Sequence, residues 1–518
     1  MLEHDVRQSP TQQDLPVDDP QTNNAGDKLL EKLICLRDGI AAVPRWKLFK
    51  LGLGLIAETV VLATTTMGTP VMNTFANILL NISGTSADQA AMGLALAFNM
   101  WFFYGVIIAI LDRFGIDWSR SFGAKQYYLT RVKFNQGAIV LVSTFALITL
   151  PSFLLGERIL VAIGSSAALS AQTGIILRKM ILPNAIQSVG EFIKLFCFAQ
   201  GHERIFGVAA VFSIIPALLT GYVCVVVLHW GPTGSIYSRV AYELVNLFVG
   251  IYVFLKDTER QTWGLASWKD IQKGLGTYFV ESFKYALGSY TEFLGYIISN
   301  YFVILTHDEN QIAAFTIIES IGSIVYAFGE AFATIMRTRM NILIGKKSNT
   351  LAKDFAMFFY GVVISFCVVS QSTTFYFRDT ITDLFSDNHE KLRSSFSQMV
   401  LLFVWLAPTD ILVSCCNVSM QTVGLNDQLV CWNLSLLIVT NAAICVVVQQ
   451  FGLMSAAAAF IIISSISGSL LIMCIYKTSM LDWEVITLCA DESNEEEGGD
   501  WVPLIDGPVQ NKRVNKAN

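Results

Sequence analysis

Glu58, Glu292, Glu319 and Asp410 stand inside long apolar runs, and none has a Lys or Arg three or four residues away on its own segment. An apolar medium disfavours the charged form of a carboxylate, so such a group can exchange a proton where a solvated acid would stay ionised. Ionised, the same group attracts sodium or an organic cation. Proton and cation then compete for one charge, which is the elementary chemistry of exchange across a barrier. Three of the four fall in the second half of the chain, so ion coupling is expected there. The plainer role for each is a hydrogen bond that packs one helix against another.

Other charges within apolar runs have bland explanations. Glu191 and Lys194, like Glu281 and Lys284, are three residues apart on a helical face, and Arg239 and Glu243 are four apart, so each pair can neutralise itself. Glu330 falls close enough to a segment end to be solvated. No phosphate loop, zinc motif or nucleophile elbow is present, so an enzyme is not expected. The histidines, His4, His202, His229, His307 and His389, lie in tails or at loop ends. Most of the ten cysteines sit in apolar runs without framework spacing and read as small packing residues. No metal, organic cofactor or nucleic-acid partner is implied; the only cofactor-like requirement is a coupling ion, H⁺ or Na⁺.

These groups must be positioned by membrane-spanning helices. A mean hydropathy of +0.52, 53% apolar residues and 15% charged residues describe a chain that lives in lipid. About twelve apolar segments are long enough to cross a bilayer core of about 30 Å. They are expected near 48–80, 90–111, 134–155, 177–199, 205–228 and 235–255, and again near 276–305, 312–335, 355–377, 397–420, 429–448 and 453–476. Gly68 and Pro70 are candidate kinks in the first. The first span is expected to serve as the insertion signal, since no cleavable leader is visible.

The two sets echo each other. Ala90-Ala91 and Ala313-Ala314 open similar runs, Arg120 to Lys125 answers Arg339 to Lys347, and Gln200-Gly201 answers Val423-Gly424. The partners lie about 222 residues apart, which suits a duplicated half-protein rather than a solenoid. The expected architecture is all-α and polytopic, with two parallel six-helix lobes related by a pseudo-twofold axis around a central cleft. Residues 1–45 read as a disordered tail, 46–255 and 276–476 as the lobes, 256–275 as a linker and 477–518 as an acidic tail. Lys and Arg crowd after the second span (Arg113, Arg120, Lys125, Arg131, Lys133), after the eighth (Arg337, Arg339, Lys346, Lys347, Lys353) and in the linker. That bias places both termini in the cytosol.

Ser121-Phe122-Gly123-Ala124-Lys125-Gln126-Tyr127 after the second span, and Arg339 to Gly345 followed by Asn349 and Ala352-Lys353, resemble two motifs of the multidrug and toxic compound extrusion (MATE) transporters. Asp410, Gly424 and Asn433 are similar in spacing to an acid, a Gly-Ser-Gly turn and an asparagine of that family. The resemblance runs over nearly all twelve segments and looks eukaryotic. It implies an exporter of small organic cations driven by inward H⁺ or Na⁺, acting as a monomer in the plasma membrane or an endomembrane. It also implies that acids of spans seven, eight and ten, here Glu292, Glu319 and Asp410, handle coupling. Glu292 stands about one helical turn before the family's usual span-seven acid. Tyr290, Tyr296 and Tyr326 could offer cation–π contact in the cavity, beside Asn433.

Two other transporter types remain open on the residues alone. Asp112-Arg113-Phe114-Gly115 falls short of the major-facilitator loop motif, because Ile108 stands where that motif has glycine and Ile116-Asp117 replace its paired arginines. A lipid-linked sugar flippase would want a cationic cavity, whereas most intramembrane charges here are acidic.

Overall fold

The computed structural model describes residues 45–83, 86–287, 309–346, 348–380, 411–425, 429 and 431, and every regular element among them is helical. Helix α1 (Arg45–Ser83) leads. Helix α2 (Ser86–Asn99) runs through a π-helical stretch, Met100–Ile108, into α3 (Ala109–Gly123). Helix α4 (Tyr127–Thr144) continues through π-helical Phe145–Thr149 into α5 (Leu150–Leu154), and α6 is Gly156–Ile163. Then come α7 (Ala167–Ala199), α8 (Glu203–Gly221, with π-helical Tyr222–Val227) and α9 (Pro232–Asp257). A short α10 (Trp268–Gln272) precedes α11 (Glu309–Gly345) and α12 (Asn349–Tyr376), and residues 275–287 and 411–422 are also helical.

Six of the described stretches are long and apolar enough to cross a bilayer: Phe49–Gly68, Ala91–Gly123, Tyr127–Leu154, Glu203–Val227, Pro232–Asp257 and Asn349–Tyr376. Several helices outrun the apolar segments read from the sequence. The second span continues through Gly123 and α11 through Gly345, so Arg113, Arg120, Arg337 and Arg339 are helical rather than loop residues, Arg120 half-buried and the other three buried. Hydropathy falls at these positions, but the helix persists because each guanidinium finds a protein partner. Glu330 is likewise not at a helix end; it lies 3.8 Å from Arg337.

Polar residues inside the spans are absorbed locally. The hydroxyls of Thr59, Thr64, Thr65 and Thr66 on α1 donate to carbonyls three or four residues back, at 2.6–3.0 Å. Thr64 also reaches the Gly207 carbonyl of α8 and Thr66 the Ala327 carbonyl of α11, each at 3.0 Å. Gly207 permits that approach, since a Cβ there would lie 2.4 Å from the Val61 oxygen. Gly68 serves close packing too: the Tyr242 hydroxyl occupies the place of its Cβ.

An aromatic core ties α3, α4, α7 and α9 together. Trp118 lies 5.0 Å from Phe192 and 5.2 Å from Phe196, ring to ring, and Phe134 lies 4.7 Å from Phe196 and 5.7 Å from Phe254. Such pairs add about 0.5–1.5 kcal/mol each beyond their buried area, so this end of the first half is packed as one body. The segment after α9 is strapped to that body. Arg131 donates to the Gln261 carbonyl at 2.8 Å, and Gln136 donates to the carbonyls of Ile271 and Lys273.

The duplication is visible in the backbone. Gly201 and Gly424 end their helices in the left-handed region, at φ 85° and 83°, where glycine alone avoids strain. The bonds Gln126 N–H to Ser121 O and Ser348 N–H to Leu343 O close α3 and α11 with the same cap, each at 2.9–3.0 Å.

Candidate functional site

The two motif-bearing helices cross each other at their C-terminal ends. A Cβ on Gly123 would lie 2.5 Å from the Ile342 carbonyl oxygen, and one on Gly345 would lie 2.2 Å from the Arg120 carbonyl oxygen. The contact is reciprocal: Gly123 faces the counterpart of residue 120, and Gly345 faces residue 120 itself. A pseudo-twofold axis through the crossing accounts for this exchange, as in a symmetric dimer interface. Glycine is needed at both positions because backbone meets backbone.

Charged groups surround the crossing. Arg337 of α11 donates to Asp112 of α3, and Arg339 donates to Glu203 at the start of α8. Arg120 of α3 donates to the Thr422 carbonyl at 2.7 Å and to Asn341 Oδ1 at 3.2 Å, while Asn341 donates to the Arg337 carbonyl at 2.7 Å. Arg113 and Asp117 pair within α3 at 2.9 Å. The inter-half pairs are nearly dry, with side-chain exposures of 5% and 16% for Arg337 and Asp112, and 6% and 12% for Arg339 and Glu203. Desolvation offsets much of the attraction in such pairs, although removing one partner strands a buried charge. The latch is therefore well defined in geometry and modest in net energy.

The motif residues Phe122, Gly123, Ala124, Arg339 and Gly345 all belong to this latch. Phe122 packs 5.8 Å from Tyr127, and Ala124 closes α3 by donating to the Arg120 carbonyl at 3.0 Å. Glu58 is met across helices by Arg204 at 2.6 Å. Glu319 and Tyr326 lie on α11, their side chains outside the described set; Glu319 precedes Arg337 by 18 residues, about five turns, so the two positions are in register along the helix. Glu292, Tyr290, Tyr296, Asp410 and Asn433 lie outside the described residues. The pairs Glu191–Lys194 (2.5 Å) and Glu281–Lys284 (2.9 Å) form as their spacing predicts.

Arg239 and Glu243 do not pair. Arg239 turns instead to α7 and the π-helical stretch, donating through Nη2 to Gln187 Oε1 at 2.7 Å, Asn184 Oδ1 at 3.0 Å and the Tyr104 hydroxyl at 3.3 Å. Asn184 donates in turn to Asn99 Oδ1 at 2.7 Å. This cluster leaves little trace in the sequence, because its amides are not ionisable and its members come from separate helices. Asp112 and Glu203 are equally hidden there, since both read as ends of spans.

Residues 285–447 match the MatE family model. No curated protein matches the chain at a significant level. Among solved structures, the eukaryotic MATE transporter AtDTX14 is similar at a TM-score of 0.74 and 16% identity, over 86% of this chain and 98% of that one. The Vibrio cholerae MATE transporter VcmN, in a mutant form, is similar at 0.71 and 14%, over 85% and 99%. A MOP superfamily transporter from Pyrococcus furiosus, whose binding pocket is described as of reverse polarity, is similar at 0.69 and 13%, over 84% and 96%.

Proposed function

We propose that this chain, which carries a MatE domain within the fold of MATE transporters, is a secondary antiporter that exports small organic cations, xenobiotics or metabolites in exchange for H⁺ or Na⁺. The latch carries this reading. Two halves related by a pseudo-twofold axis meet at one end of the bundle through glycines and nearly dry ion pairs, a joint that can part without unfolding either half. The Lys and Arg bias makes that end cytosolic, so the described conformation is closed to the cytosol. Both termini then lie in the cytosol, and the lobes are 46–255 and 276–476, joined by 256–275.

In this scheme protons entering from outside neutralise Asp410, Glu319 or Glu292 and release the cation. Loss of the proton to the cytosol restores the negative charge and reloads the site. The register of Glu319 with Arg337 supports a route from coupling acid to latch along α11. Tyr290, Tyr296, Tyr326 and Asn433 are the proposed cavity residues. Glu58, already matched by Arg204, takes a secondary place. The protein acts as a monomer in the plasma membrane or an endomembrane.

The test is ethidium efflux from proteoliposomes under an imposed pH gradient, wild type against Asp410→Asn. Efflux that the substitution abolishes supports antiport with coupling in span ten. Efflux that survives moves coupling to Glu292 or Glu319. No ethidium movement under either a pH or a sodium gradient would favour a lipid-linked sugar flippase.

A further inference from the structure

The first half holds a buried cation whose bonding is incomplete. Arg239 is 4% exposed, and among the described residues no carboxylate reaches it within ion-pair distance. A guanidinium carries five N–H donors. The acceptors Asn184, Gln187 and Tyr104 all engage Nη2, while Nε and Nη1 have no hydrogen-bond partner. A charge so placed in a membrane protein is costly unless a further group completes it, and it marks a functional site by default.

The surroundings orient that cation without neutralising it. Asn184 is fixed by Asn99 at 2.7 Å, and Gln187 donates back to the Tyr104 hydroxyl at 3.1 Å. Three neutral groups thus hold one edge of the guanidinium. Glu243, one turn along α9, keeps Oε1 unpartnered, and Glu191 is already paired with Lys194. Tyr104 is half-buried and lies in the π-helical stretch Met100–Ile108, a local widening that recurs at functional sites. Asp112, eight residues further along the same rod, reaches Arg337 of the second half. The Tyr104 hydroxyl itself meets Gln187 and Arg239 within the first half.

We propose that Arg239, framed by Tyr104, Gln187 and Asn184, is a binding site for the oxyanion of an organic ligand, a carboxylate or a phosphate. The site gives the first half a polarity opposite to the acids of the second. An exporter built this way takes zwitterionic or anionic organic molecules as well as cations. When the site is empty, Glu243 is the nearest internal competitor for the guanidinium.

Equilibrium dialysis of the purified full chain in detergent tests this without requiring transport, so its failure is separate from failure of the antiport reading. Benzoate and phenyl phosphate are the probes, with benzylammonium as the control. Saturable binding of at least one anion is expected, weakened about tenfold or more by Arg239→Gln and partly kept by Arg239→Lys. Glu243→Gln should tighten it by removing the competing carboxylate, and this variant decides the matter if Arg239→Gln fails to fold. The tighter anion identifies the ligand class. Absence of saturable anion binding, or binding indifferent to both Arg239 and Glu243, overturns the proposal.

Discussion

Replacing Gly345 by alanine adds one methyl group where the two halves touch most closely. Its Cβ would lie 2.2 Å from the Arg120 carbonyl oxygen and 2.9 Å from the Ala124 nitrogen. Both are backbone atoms already joined to each other at 3.0 Å, so neither can swing aside as a side chain would. The helices must part by about 1 Å before the methyl reaches ordinary contact distance. Overpacking of this kind costs about 1–3 kcal/mol. If only the closed conformation bears that cost, the closed–open equilibrium shifts by about 5–150-fold. Spin labels at Lys125→Cys and Lys346→Cys, both exposed beside the crossing, read the shift as a distance distribution. Gly123→Ala should move it the same way, because its Cβ meets Ile342 Cα at 2.8 Å. Gly115→Ala, on the same helix with nothing within 4 Å, should leave it unchanged. A wild-type distribution for Gly345→Ala would refute the reasoning.

Asp112→Asn and Arg337→Gln should each destabilise the protein by about 3–5 kcal/mol, read by thermal unfolding in detergent. The double variant should lose less than the sum, since neither member of the pair is left without the other; additive losses would show that the pair is not coupled. Glu58→Gln should change stability by only about 0–1 kcal/mol, because its partner Arg204 is 60% exposed, and proton-driven efflux should persist. Loss of efflux in that variant would return Glu58 to the coupling set.

Much of this architecture is legible in the sequence because it rests on local or periodic signals. Apolar length marks the spans, and the echo between Arg120–Lys125 and Arg339–Lys347 points to duplication. Matched caps at Gly201 and Gly424 express that echo in the backbone. The intrahelical pairs at Glu191 and Glu281 follow from spacing alone. What stays hidden depends on contacts between distant segments. Arg113, Arg120, Arg337 and Arg339 read as loop charges because hydropathy carries no information about a partner on another helix. Arg239 and Glu243 look self-neutralising at i,i+4, yet three neutral acceptors from other segments outcompete the local carboxylate. The glycines of the crossing are only motif letters in the sequence, and the packing explains why a methyl group cannot stand there.

Alternating access requires the latch to open during transport. Lys125→Cys and Lys346→Cys, joined by a short reducible bifunctional thiol reagent, would lock the crossing in the described state. Proton-driven ethidium efflux from proteoliposomes should stop when the cross-link forms and return when it is reduced. Efflux that continues at the uncross-linked rate with the bridge intact would contradict the account.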